Sequence, residues 1–71
     1  MPSFKARELV RILEKLGYIQ KRQTGSHLIM YHAKQKKIIP VPMHANELKK
    51  GLVRGIIKQA ESSEEEFLKL K

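Results

Sequence analysis

Three histidines, His27, His32 and His44, are the side chains in this chain best suited to moving protons near neutral pH. His27 directly follows Thr24-Gly25-Ser26. A glycine turn lets a phosphate backbone come close and can aim backbone N–H groups at it. RNA carries its own nucleophile, the 2′-hydroxyl beside the scissile phosphate. A catalyst need only remove that proton, steady the charge that develops at phosphorus and protonate the leaving oxygen. One or two histidines with several lysines or arginines suffice, with no metal or cofactor. A Ser26–His27 dyad fails on geometry, because adjacent residues in a strand point to opposite faces. Ser26 is better placed to donate to a phosphate or to shape the turn. A lone surface histidine is more often structural than catalytic, so residue type and position leave the choice among the three open.

The rest of the composition narrows the chemistry. The chain has no Asp and no Cys. Thiolate zinc sites and disulfides are thereby excluded. Nucleases that work through metal ions rely on clustered carboxylates, and residues 1–60 offer only Glu8, Glu14 and Glu47. The three histidines have no recognised zinc spacing. Over the whole chain 15 Lys and Arg stand against 7 acids, a net charge of +8, and four of those acids lie at Glu61, Glu64, Glu65 and Glu66. The body is therefore as basic as a nucleic-acid binder and suits a polyanionic partner. No stretch reads as a signal peptide or a membrane span, because Arg7, Glu8, Arg11, Glu14 and Lys15 interrupt the first apolar segment. A cytoplasmic protein is expected, and 71 residues leave room for one domain, 1–71.

The elements that must position His27 can be read from periodicity. Residues 3–16 read as an amphipathic helix with Ser3 as N-cap. Its stripe is Leu9, Ile12, Leu13 and Leu16, widened by Val10. Gly17 stands where a left-handed residue ends a helix. Three short strands are expected over 18–23, 27–32 and 38–43, joined by the Thr24-Gly25-Ser26 turn and a polar loop. Both faces of the second are apolar, so alternation does not reveal the core side. Pro40 and Pro42 cannot donate backbone hydrogen bonds, which makes the third strand a sheet edge. A second helix is expected over 46–60, with Leu48, Leu52, Ile56 and Ala60 in line and Asn46 as a possible cap; alternatively Gly51 marks its start. Ser63 and Glu66 form a capping-box pattern opening a short helix over 64–70, docked by Phe67, Leu68 and Leu70.

The order is α-β-β-β-α with a short C-terminal helix: an α+β fold with a three-stranded antiparallel sheet and helices on one face. Double-stranded-RNA-binding domains share this order, which by itself is an analogy of fold.

Six segments carry a closer likeness. They are Leu16-Gly17-Tyr18, Gly25-Ser26-His27, Val41-Pro42-Met43-His44, the run from Glu47 to Leu52, Ile57-Lys58-Gln59-Ala60, and Glu65-Glu66-Phe67-Leu68. In this order they resemble the HicA-type toxins, the YcfA-like family of messenger-RNA interferases, from about Ser3 to Leu68. The resemblance implies a double-stranded-RNA-binding-like fold, ribonuclease activity on translated messages and neutralisation by a HicB-type antitoxin. It places the family's catalytic histidine at His27. A second recurrent histidine falls at His44, a contact to substrate or antitoxin or else a structural hydrogen bond. His32 falls at a structural position. The sequence departs from the family where Leu52 follows Gly51 in place of a frequent Thr, and where Glu61 replaces a frequent Gly.

The expected site thus combines His27 with Gly25 and Ser26 as a phosphate-facing turn. Lys21, Arg22, Lys34, Lys36, Lys37, Lys49 and Lys50 form the electrostatic footprint. No cofactor is expected, and the toxin is expected to be a monomeric subunit of a larger complex with its antitoxin. The rival reading is a small basic RNA-binding protein without chemistry, which would shift RNA but not cut it. A transcription factor fits less well, because no two consecutive helices are joined by a tight turn.

Overall fold

The first apolar stripe folds as expected but starts later. A computed structural model describes residues 3–43 and 47–71. In it, helix α1 spans Ala6–Lys15 and buries Leu9, Val10, Ile12 and Leu13. Ser3 does not cap it. Phe4–Lys5 instead form a short strand, β1, and Lys5 takes the N-cap position. The Glu8 carboxylate accepts from the Lys5 N–H at 2.8 Å, which satisfies one backbone donor at the helix start. At the other end the Gly17 N–H donates to the Glu14 carbonyl at 3.1 Å and the Tyr18 N–H to the Leu13 carbonyl at 2.9 Å. This is a Schellman termination, and Gly17 supplies the positive φ of 102° that it needs.

Three strands follow: β2 (Ile19–Thr24), β3 (His27–His32) and β4 (Lys37–Pro42), in the order β2-β3-β4, all antiparallel. The β2–β3 turn is only Gly25-Ser26, since Thr24 and His27 are paired. Gly25 has φ +58°, and Ser26 is not in the positive-φ region. That sign pattern, with Gly first, is a type II′ hairpin turn, whose twist suits the flanking strands. β4 is an edge, as its prolines require. The Met43 N–H donates to the Ser26 carbonyl at 2.7 Å, so by alternation residues 39, 41 and 43 turn their N–H groups to β3. The nitrogens of Pro40, which is exposed, and Pro42, which is buried, are turned away from β3.

The register decides which side of the sheet is core. Met30 pairs with Ile39 and Leu28 with Val41. Met30, Ile39 and Val41 join α1 and α2 residues in one buried cluster, against which Leu28 packs. The helices therefore cover the Leu28–Met30 face, and the Ile29–Tyr31 face is left open.

The second apolar helix pattern splits in two. Glu47–Leu48 form a strand, β5, paired with β1, and α2 spans Lys50–Gln59. Its N-cap is Lys49; Asn46 lies outside the described residues. Leu48 is buried from the ribbon, while Leu52, expected in the same stripe, is 42% exposed. The buried line of α2 is Val53, Ile56 and Ile57. Helix α3 spans Glu64–Leu70, and its Glu66 N–H donates to the Ser63 hydroxyl at 3.1 Å, as the capping pattern predicts. Phe67 is buried against Phe4, edge to face with centroids 6.3 Å apart. Leu70 packs at the margin of the core, but Leu68 points outward.

Candidate nucleic-acid interface

His27 opens β3 immediately after the Gly25-Ser26 turn. Being odd-numbered in a strand whose even residues face the core, it stands on the open face, exposed, between Thr24 and Pro42 on the neighbouring strands. Gly25 and Ser26 are exposed beside it. The turn and the histidine thus present one continuous surface, as a phosphate-facing group requires.

Two of the expected cations share this face through an irregularity of β2. Gln20 pairs with Met30 and Arg22 with Ile29, so Lys21 is an extra residue bulged out of the ladder. Strict alternation would put Gln20 and Arg22 on one face. The bulge breaks it: Gln20 turns to the helix side and donates to Glu14 at 3.2 Å. Arg22 joins Ile29 on the open face, and the Lys21 ammonium sits 4.8 Å from the centre of the Tyr31 ring. Bulges characteristically re-aim side chains in this way.

Other expected cations lie elsewhere. Lys34 and Lys36 are in the β3–β4 loop, at the opposite end of β3 from His27, roughly 17 Å away along the strand. Lys37 is engaged with α2: it pairs with the Glu61 carboxylate and donates to the Gln59 carbonyl at 3.4 Å. Those contacts fix the C-terminal end of α2 beside the start of β4. Since α2 packs on β4, its other end, with exposed Lys49 and Lys50, points toward the His27 end of the sheet. His44 lies outside the described residues.

Glu61 itself explains one departure from the family pattern. Its N–H donates to the Lys58 carbonyl and the Ser62 N–H to the Ile57 carbonyl, closing α2 with a second Schellman motif. Glu61 occupies the left-handed position at φ +54°, where glycine is usual. The hydrogen bond and charge of Lys37 hold the Glu61 carboxyl below its ordinary range.

His32 has a structural role. Its Nδ1 accepts from the Gln35 N–H at 3.1 Å, and its ring meets Tyr18 edge to face at 5.0 Å. Among the described residues, no three His or Glu side chains come together as a metal site would require, and no helix is long and apolar enough to cross a membrane. Sequence reading missed Tyr31 as part of the open face. The available signal was an aromatic two residues beyond Ile29, in register with the Lys21-Arg22 pair only once the bulge is known.

One helix, a three-stranded antiparallel meander and further helices on a single face make this a small basic α+β domain of the double-stranded-RNA-binding layout. A family model described as the HicA toxin of bacterial toxin–antitoxin matches residues 6–61, from the start of α1 to just past the end of α2. The chain belongs to the HicA toxin family, whose members act with a cognate antitoxin. No curated protein matches it.

Proposed function

We propose that this toxin is a metal-independent endoribonuclease that cleaves messenger RNA in the cytoplasm, with His27 as its catalytic group. A HicB-type antitoxin restrains it, and one toxin chain, residues 1–71, serves as a monomeric subunit of the larger complex. The observation that carries this reading is the placement of His27. It is exposed beside the Gly25-Ser26 turn on a sheet face that carries Lys21 and Arg22 and, among the described residues, no carboxylate.

The reaction needs only what that surface supplies. The 2′-oxygen forms a bond to phosphorus as the bond to the 5′-oxygen breaks. One proton leaves the 2′-hydroxyl and one reaches the 5′-oxygen, with imidazole able to serve in either transfer. Arg22, one step along the open face from His27, adds positive charge where the phosphorane develops its negative charge, and Lys21 continues the positive field along the strand. Gly25 and Ser26 let the backbone approach, and Lys49 and Lys50 extend the positive field from the start of α2. His44 would contact substrate or antitoxin.

The test is incubation of purified protein with RNA in EDTA. Wild type should yield fragments ending in 2′,3′-cyclic phosphate and 5′-hydroxyl, and His27→Ala should yield none above background. Circular dichroism of the variant checks that its fold is kept. Equal cleavage by the two proteins would remove His27 from the reaction.

A further inference from the structure

The open face of the sheet has a second feature besides His27. Ile19, Tyr31 and Ile38 are directly aligned across β2, β3 and β4. Ile19 is 58% and Ile38 53% exposed, and Tyr31 is half-buried between them. The row therefore forms an apolar floor open to solvent, with Ile29 as the next step toward His27. The bulge places Lys21 and Arg22 along one side of this floor, and Lys21 is held over the Tyr31 ring at 4.8 Å.

A flat apolar floor flanked by cations fits one class of polyanion better than others. A duplex keeps its bases stacked inside and offers a protein mainly phosphates and sugars. A single strand can splay its bases onto a sheet and leave its phosphates at the margin. Successive outward side chains on a strand are roughly 7 Å apart, enough to seat one splayed base at each step. The steps here run Tyr31, Ile29, His27. We propose that single-stranded RNA lies along this face, its bases packed on the Ile19–Tyr31–Ile38 row and its phosphates held by Lys21 and Arg22. The scissile linkage then falls at His27, two steps from the aromatic. Tyr31 and Lys21 are thus positioning residues that set where along the strand His27 acts. This rests on the reading of the His27 face as the RNA-cleaving surface, and it selects the unpaired form of the substrate.

The experiment separates binding from cleavage by using an uncleavable probe. A 2′-O-methyl RNA of about 12 nucleotides, within the span of a small single-strand site, is labelled and titrated with protein by fluorescence anisotropy. The same strand annealed to its complement is titrated in parallel. The single strand should bind more tightly than the duplex. Tyr31→Ala should weaken single-strand binding about tenfold and leave duplex binding nearly unchanged, whereas Tyr31→Phe should bind as wild type. Ile38→Glu, which alters an exposed side chain and spares the core, should also weaken it about tenfold. Lys21→Gln should lower the salt-dependence slope by about 0.7. Equal affinity for both forms, or wild-type single-strand binding by Tyr31→Ala and Ile38→Glu, would overturn the proposal. The same follows if those variants bind RNA normally but lose the cognate antitoxin, since the row would then belong to a protein partner. Single-strand binding as expected without cleavage of ordinary RNA would instead refute the ribonuclease reading and leave the binding mode standing.

Discussion

Replacing Gly17 by Ala tests how the first helix is joined to the sheet. Gly17 has φ +102°, and a Cβ built there would lie 2.7 Å from His32 Nε2. Two costs follow. The left-handed backbone costs an L-residue about 1–2 kcal/mol. The imidazole must also move, and it cannot do so freely. Its Nδ1 accepts from Gln35 and its ring meets Tyr18. Losing that hydrogen bond costs about 1 kcal/mol, and losing the edge-to-face contact about 0.5–1.5 kcal/mol. The total is about 3 kcal/mol, a large share of the stability of a domain this small. For a chain of this length it corresponds to a fall in Tm of about 12–24 °C. Thermal and urea unfolding followed by circular dichroism would measure it. A double-mutant cycle isolates the cause. In a His32→Ala background only the backbone penalty remains, so Gly17→Ala should cost less there by at least about 1 kcal/mol. Additive single effects, or a Gly17→Ala cost below about 1 kcal/mol, would refute the close approach of ring and turn.

Further outcomes follow from three side chains of the core and its margin. The Tyr18 hydroxyl is buried and has no hydrogen-bond partner among the described residues, so Tyr18→Phe should raise stability by about 1 kcal/mol in urea unfolding. Burial first, and Glu61 more weakly, push the Tyr18 phenol up against the opposing effect of Lys37. Its neutral form is thus favoured in the fold. Wild type should lose stability as pH rises above 10.0, and Tyr18→Phe should lose less. Glu61 has the opposite sense: its carboxyl is lowered from 4.5 by Lys37, so its contribution is present above pH 4.5 and fades as pH falls below it. The Tm gap between wild type and Glu61→Gln should therefore close in acid. Phe67→Ala removes a fully buried ring packed on Phe4 and should cost about 3–5 kcal/mol by chemical denaturation.

The parts of the fold legible from sequence are those set by neighbours in the chain. Strand β3 is bracketed by a glycine turn and a polar loop, and its limits, His27 and His32, follow from them. Gly17 and Ser63 end and begin helices through hydrogen bonds spanning three to five residues. What could not be read depends on distant partners. Leu48 and Leu52 have helical spacing, yet Leu48 is drawn into a ribbon with Phe4, and Leu52 is left in solvent. Ser3 would cap a helix if β1 did not occupy the residues after it. In the candidate site, the turn and His27 were legible as adjacent residues. The β2 bulge was not, because a shift of pairing leaves no mark in either strand alone. Lys37 carried no sign that Glu61, 24 positions later, would engage it.

The two prolines of β4 also restrict how the toxin can assemble. With the nitrogens of Pro40 and Pro42 turned away from β3, that side lacks two successive donors for an added strand, and Pro42 is itself buried. A strand added past β4 would find two of its ladder hydrogen bonds missing. Among the described residues the other border of the sheet is β2, where the Lys21 bulge interrupts the ladder. Assembly by strand addition is thereby hindered on both sides. A protein that covers His27 by resting on the face of the sheet would occupy the surface proposed above for RNA.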